Sequence, residues 1–239
     1  MKNKPILIIP GDPKSIFFEI FFKSLKSNQF KSPIILVTSL EFFRSQMKRF
    51  NYKKKINLLN PNNISKHAYA KSCVNIINVN YDKKKTKLYI KNCFEISYRL
   101  LKNGLTNKFI NGPINKTNFL DKKYLGITEY IAKKFRVKKI AMLIYNKDLS
   151  VCPITTHLPI KLVSKNISQK LIKEKIELIS EFFNKINGIK PRIAITGLNP
   201  HCESILKFNE DKKILFPVIK SLKKKGHKVH GPFPADTIF

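Results

Sequence analysis

Apolar positions along this chain follow two rhythms. Short runs such as Ile6-Leu7-Ile8-Ile9, Ile34-Ile35-Leu36-Val37 and Ile193-Ala194-Ile195 are closed off by Pro, Gly, Thr or Asn within a few residues. They are too short for helices and read as buried strands. On this basis strands are predicted over 5–9, 33–37, 108–111, 140–145, 150–154, 192–196 and 228–230. Longer segments repeat their apolar residues every three to four positions and predict helices over 15–26, 40–50, 86–105, 127–135, 168–186 and 210–224. In the helix from 168, Leu171, Ile172, Ile176, Ile179, Phe182 and Phe183 share a face, and Asn187-Gly188 is a stop signal. Residues 51–82 hold no clear period and are expected to be loops with a short strand or two. Strands alternating with helices predict the α/β class.

With 239 residues, 43% of them hydrophobic, the chain can bury a real core in one large domain or two modest ones. The four cysteines form no CxxC pair, which argues against a zinc knuckle or a disulfide framework and for reduced thiols in the cytoplasm. The opening apolar run is too short for a signal peptide, and no segment approaches a membrane span. A net charge of +32 invites a nucleic-acid reading, but only five of the 47 basic residues are Arg. Surfaces that read nucleic acids lean on Arg for bidentate contacts. The Lys excess, with Asn, Ile and Phe enriched beside it, reads first as solvated surface and AT-rich codon usage. A polyanion-binding surface is the rival reading.

Chemistry-bearing residues gather where strands end. Open α/β sheets present their chemistry at the carboxyl ends of their strands. Pro10-Gly11-Asp12-Pro13 follows the first strand, either as an anion cradle or as a plain turn with Asp12 capping the helix. Asn111-Gly112-Pro113-Ile114-Asn115-Lys116 follows another and places Lys116 where it can meet a phosphate or carboxylate. Gly126-Ile127-Thr128-Glu129 opens a helix, and Thr128 either meets a ligand phosphate or caps that helix. His157, in Thr155-Thr156-His157-Leu158-Pro159, and His201, in Gly197-Leu198-Asn199-Pro200-His201, each sit in a loop after an apolar run. Two such imidazoles can share a divalent metal, though a tight site normally uses more ligands. Asn199 and Pro200 are expected to stiffen the second loop. Gly231-Pro232-Phe233-Pro234-Ala235-Asp236-Thr237 presents one carboxylate, Asp236, as a metal neighbour, a proton acceptor or a turn residue.

Taken in order, these segments resemble the 4-hydroxythreonine-4-phosphate dehydrogenase family of pyridoxal phosphate biosynthesis, over essentially the whole chain. The resemblance implies a two-domain α/β fold like that of isocitrate and isopropylmalate dehydrogenases, with residues 1–112 in one domain and 113–239 in the other. It implies a homodimer, a phosphorylated amino-acid substrate, NAD, and a divalent metal (Zn, Mg or Co) held by three histidines. His157 and His201 match two of the three. Thr128 matches a substrate-phosphate contact, and Asp236 and Lys116 are the candidate catalytic side chains. The implied reaction oxidises a secondary alcohol to a ketone and then releases carbon dioxide.

The chain departs from the family pattern in places. Ile127 stands where the family has His before Thr-Glu, and an apolar side chain cannot donate to phosphate. Lys14-Ser15-Ile16-Phe17-Phe18 replaces a glycine-rich start. The loop after His201, Cys202-Glu203-Ser204, is one residue shorter and lacks glycines. The third histidine, further phosphate-binding residues and most of the NAD site are expected beyond Phe239. The chain is therefore expected to be an incomplete dehydrogenase, inactive as written.

Overall fold

The structure is a computed structural model that describes residues 4–27, 30–64, 69–70, 72–120, 123–202 and 209–238. The chain divides into two compact units, Met1–Tyr124 and Leu125–Phe239.

The first unit is built on a five-stranded parallel sheet. Its strands are β1 (Ile6–Ile9), β2 (Ile34–Thr38), β3 (Ile56–Leu58), β4 (Val74–Asn78) and β5 (Phe109–Asn111), in the order β3-β4-β2-β1-β5. Leu7, Ile35, Leu36, Val37, Ile76 and Ile77 are all buried to 0% exposure. These apolar runs do not alternate, because a parallel sheet is covered on both faces. Helices α1 (Phe17–Ser27) and α2 (Leu40–Arg49) carry the chain outward toward β3, whereas α3 (Thr86–Lys102) carries it back from β4 to β5. Right-handed crossovers in opposite directions place helices on opposite faces.

The α1/α2 face is an aromatic cluster of Phe17, Phe18, Phe21, Phe22 and Phe43 over Ile8, Leu36 and Ile76. Phe43, at 0% exposure, lies 5.6 Å from the Phe22 ring and 6.1 Å from the Phe18 ring. Truncating it in Phe43→Ala is expected to cost about 3–5 kcal/mol. Thermal unfolding followed by circular dichroism should then show a midpoint lowered by roughly 10 °C.

On the other face, α3 touches β1 and β2 and buries Tyr89, Ile90, Cys93 and Phe94. The Tyr89 hydroxyl and Thr38 Oγ1 share a buried 2.7 Å hydrogen bond. Burial pushes the Cys93 thiol up to about 12, so it behaves as a core side chain. The short helix α4 (Lys116–Leu120) joins this unit through Phe119, whose ring stacks on Phe94 at 5.4 Å.

The second unit contains α5 (Ile127–Lys134), α6 (Ile160–Asn166), α7 (Gln169–Asn187), β6 (Ile193–Thr196), α8 (Phe216–Lys224) and β7 (Val229–Phe233), with a π turn over Asp211–Leu215. Strands β6 and β7 pair in parallel, and α7 and the π-turn/α8 segment bury Ile172, Ile176, Leu215, Val218, Ile219 and Leu222 beside them. Helix α7 starts where Ser168 Oγ accepts the Leu171 N–H, and it ends at Gly188 with φ +66°.

The strands expected over 140–145 and 150–154 do not form. The segment keeps one antiparallel bridge, Ile144 to Val151, with Ile144, Tyr145, Leu149 and Val151 exposed. A lone strand pair is marginal without a third strand or a covering layer. Lys175 of α7, 8% exposed, ties this stretch down by donating from Nζ to the Ile140 carbonyl at 2.6 Å. Helices α4 and α6 were not expected from the pattern. The expected short strands within 51–82 are β3 and β4, and His67 lies outside the described residues.

Candidate active site

In the first unit, the loops that follow the neighbouring strands β1 and β5 lock together at the sheet's carboxyl edge. The Asp12 N–H donates to the Pro113 carbonyl and the Gly112 N–H to the Ile9 carbonyl, both at 2.8 Å. Gly11 has φ +76°, and a Cβ there would run into the Pro113 carbonyl. A Cβ on Gly112 would run into the Pro10 carbonyl and lie 2.7 Å from the Phe17 ring. Asp12 does not cap α1: its Oδ1 accepts the Lys14 N–H, and the Phe17 N–H is taken by Ser15 Oγ. Lys116, exposed, is the first residue of α4.

The other four candidates belong to the second unit. Thr128 is the second residue of α5, exposed, while the N-cap is Gly126 with no side-chain cap. The expected alternative of Thr128 as cap is therefore not seen. His157 is exposed and takes φ +57°, a left-handed conformation uncommon outside glycine. Its neighbour Thr156 donates from Oγ1 to Glu129 Oε1 at 3.3 Å.

The loop after β6 is held from several sides. The Gly197 N–H donates to the Phe233 carbonyl at 2.9 Å, which extends the β6/β7 pairing. Asn199 Oδ1 accepts the His201 N–H at 3.1 Å, and the Asn199 carbonyl accepts the Cys202 N–H at 3.0 Å. Asp211, 2% exposed at the start of the π turn, accepts the Leu198 N–H at 3.1 Å. The Ala235 N–H donates to the Pro200 carbonyl at 2.8 Å, and His201 Nδ1 sits 3.4 Å from Asp236 Oδ2. At Gly231, with φ +121°, a Cβ would strike the Ile195 carbonyl, so this crossing of β7 over β6 needs glycine. Burial, reinforced by the charges of Asp211 and Asp236, holds the Cys202 thiol above its ordinary value, which argues against a nucleophilic role. Residues 203–208 of the shortened loop lie outside the described residues.

His201 and Asp236 are thus brought together, and His157 is set beside Glu129. Neither Glu129 nor Asp211 was assigned a role from the sequence. Two neutral imidazoles suit a borderline divalent metal in kind. However, no group of three or more His, Cys, Asp or Glu side chains able to hold a metal occurs among the described residues. A three-histidine site is therefore not assembled by those residues alone. Two cavities, of about 600 and 510 Å³, open on the first unit and are lined by none of the five candidates.

Comparison with known proteins shows the family and the fold. Residues 26–239 match the family described as pyridoxal phosphate biosynthetic protein PdxA. A 4-hydroxythreonine-4-phosphate dehydrogenase of Wigglesworthia glossinidia brevipalpis is 30% identical over all of this chain and 75% of its own length. A D-threonate 4-phosphate dehydrogenase of Pectobacterium atrosepticum is 26% identical over 99% of this chain and 77% of its own. The crystal structure of a 4-hydroxythreonine-4-phosphate dehydrogenase from Klebsiella pneumoniae superposes with a TM-score of 0.82 at 26% identity, covering 99% of this chain and 76% of that one. The chain spans about three quarters of the length of these relatives, and its α/β fold is theirs. It belongs to the PdxA family of pyridoxal phosphate biosynthetic proteins.

Proposed function

We propose that this chain serves the NAD-dependent, metal-assisted oxidation and decarboxylation of 4-phosphohydroxy-L-threonine to 3-amino-2-oxopropyl phosphate. The observation that carries this reading is the seating of His201 against Asp236, with the two loops tied through Ala235 and Pro200. Asp236, 3.4 Å from His201 Nδ1, in this reading accepts Nδ1–H and so fixes the tautomer that leaves Nε2 for the site. In this reading Nε2 of His201 and the imidazole of His157 face the substrate's reacting hydroxyl. Thr128, exposed in the first turn of α5, offers its hydroxyl and the positive end of that helix to the phosphate. Ile127 adds no donor, so the grip on phosphate rests on fewer hydrogen bonds than in the family pattern. Lys116 supplies a cation for the substrate carboxylate or for proton transfer. A divalent metal, when bound, would lower the pKa of the substrate hydroxyl. His157 and His201 are the residues of this chain assigned to it, and a third donor is not among the described residues.

A homodimer in the cytoplasm belongs to the same proposal. Ile144, Tyr145, Leu149 and Val151 are exposed apolar side chains of the kind that a subunit interface covers. No helix among the described residues is long and apolar enough to cross a membrane.

A second reading is binding of metal or phosphate without turnover, since the described residues hold no group of three or more His, Cys, Asp or Glu able to hold a metal. Absorbance of NADH separates the two. Against the expectation of an inactive chain, the dehydrogenase reading has purified chain with NAD and Zn or Mg form NADH from 4-phosphohydroxy-L-threonine faster than from D-threonate 4-phosphate, which carries hydroxyl in place of amine at C2. A preference for the second acid would reassign the substrate. No NADH from either would favour binding without turnover.

A further inference from the structure

We infer that Glu129 is a positioning residue for His157: its carboxylate holds the imidazole with Nδ1–H turned inward and Nε2 outward. The inference rests on the proposed role of His157 in the site. It starts from an anomaly. Glu129 Oε1 accepts from Thr156, but Glu129 Oε2 is closed off from solvent and has no hydrogen-bond partner. A buried carboxylate oxygen without a donor is costly, and in native structures such an atom calls for an explanation.

The surroundings of Gly126 supply one. The place that a Cβ on residue 126 would occupy is 2.8 Å from Glu129 Oε2, 3.2 Å from His157 Cε1 and 3.5 Å from His157 Nδ1. The orphan oxygen and the Nδ1 edge of the ring therefore converge on one point above the first residue of the turn. Only glycine leaves that point open. His157 holds φ +57° while it makes this approach, and for a residue with a Cβ that conformation costs about 1–2 kcal/mol. In the inferred arrangement Nδ1–H donates to Oε2. Carboxylate–imidazole pairing of this kind fixes which nitrogen carries the proton. His201 has the same arrangement, with Asp236 on its Nδ1 edge. Two loops far apart in sequence thus each carry an imidazole with a carboxylate behind it, and both rings would present Nε2.

The alternative is that Glu129, third residue of α5, serves only the helix start, as glutamate does at that position in a capping box. Nitrogen-15 NMR of imidazole-labelled protein, without metal or substrate, separates the two. At about pH 8.5, two units above the ordinary imidazole value, His157 should show a protonated Nδ1 and an unprotonated Nε2. In Glu129→Leu the two nitrogen resonances of His157 should average or exchange roles, with those of His201 unchanged, and Glu129→Gln should fall between. Protonated Nε2 in the wild type overturns the inference, whether or not the variants fold. So does a His157 tautomer unmoved in Glu129→Leu while the melting temperature drops, which is the capping role alone. The readout needs no turnover, so its failure leaves the dehydrogenase reading standing, and an inactive chain leaves the tautomer measurable.

Discussion

Gly112→Ala is expected to cost the first unit about 4 kcal/mol or more, a large share of the 5–15 kcal/mol that a folded domain typically commands. The added methyl meets the Pro10 carbonyl and the Phe17 ring together. Relief by moving the loop is blocked. Gly112 N–H is bonded to Ile9 and Asp12 N–H to Pro113, while Ile9 and Asn111 are register partners in the β1/β5 pairing. The methyl must therefore either break strand pairing or displace Phe17 from the aromatic cluster. Gly104→Ala is the control. Gly104 has φ +76°, a backbone demand that Gly112 does not carry, but nothing lies within 4 Å of its Cβ. Its replacement should cost only the backbone term of about 1–2 kcal/mol. Urea unfolding of the two variants reads the difference, and equal midpoints would show that the close approach of the two loops is wrong.

His201→Ala should slow NADH formation by more than about 100-fold, because it removes an imidazole assigned to the metal rather than the carboxylate behind it. Asp236→Asn should cost less, about 10–100-fold, because it leaves the imidazole in place and disturbs only its tautomer and direction. The fold should survive both changes. His201 and Asp236 are exposed, and their loops are held by Asn199, Asp211 and the Ala235–Pro200 bond. A His201→Ala variant that loses activity together with its cooperative unfolding transition would remove the catalytic interpretation.

Much of this was legible in the residue pattern where local chemistry decides structure. Ser168 and Gly188 bound α7 because capping needs only neighbouring residues. The strand-end loops stood out because Gly, Pro and His cluster after apolar runs. Strand β4 was blurred for a tertiary reason. Its Asn75 looks misplaced in an apolar run, yet it is 2% exposed. Its side chain bonds Ile34, Asn57 and Ala70, partners that periodicity cannot see. The 140–154 segment failed in the other direction. Its apolar residues suit strands, but the fold offers them no neighbouring strand beyond each other. Glu129 and Asp211 gave no signal because their partners lie 27 and 13 residues away. A carboxylate near a helix start has an ordinary local explanation in the helix dipole.

The central claim is that His157 and His201 serve one site, and a double-mutant cycle in kcat/KM for NADH formation tests it most directly. Wild type, His157→Ala, His201→Ala and the double variant are compared with 4-phosphohydroxy-L-threonine. Side chains that act as a unit are non-additive, so the double variant should match the slower single variant to within about twofold. Losses that multiply, or a folded wild type that forms no NADH, would contradict the account.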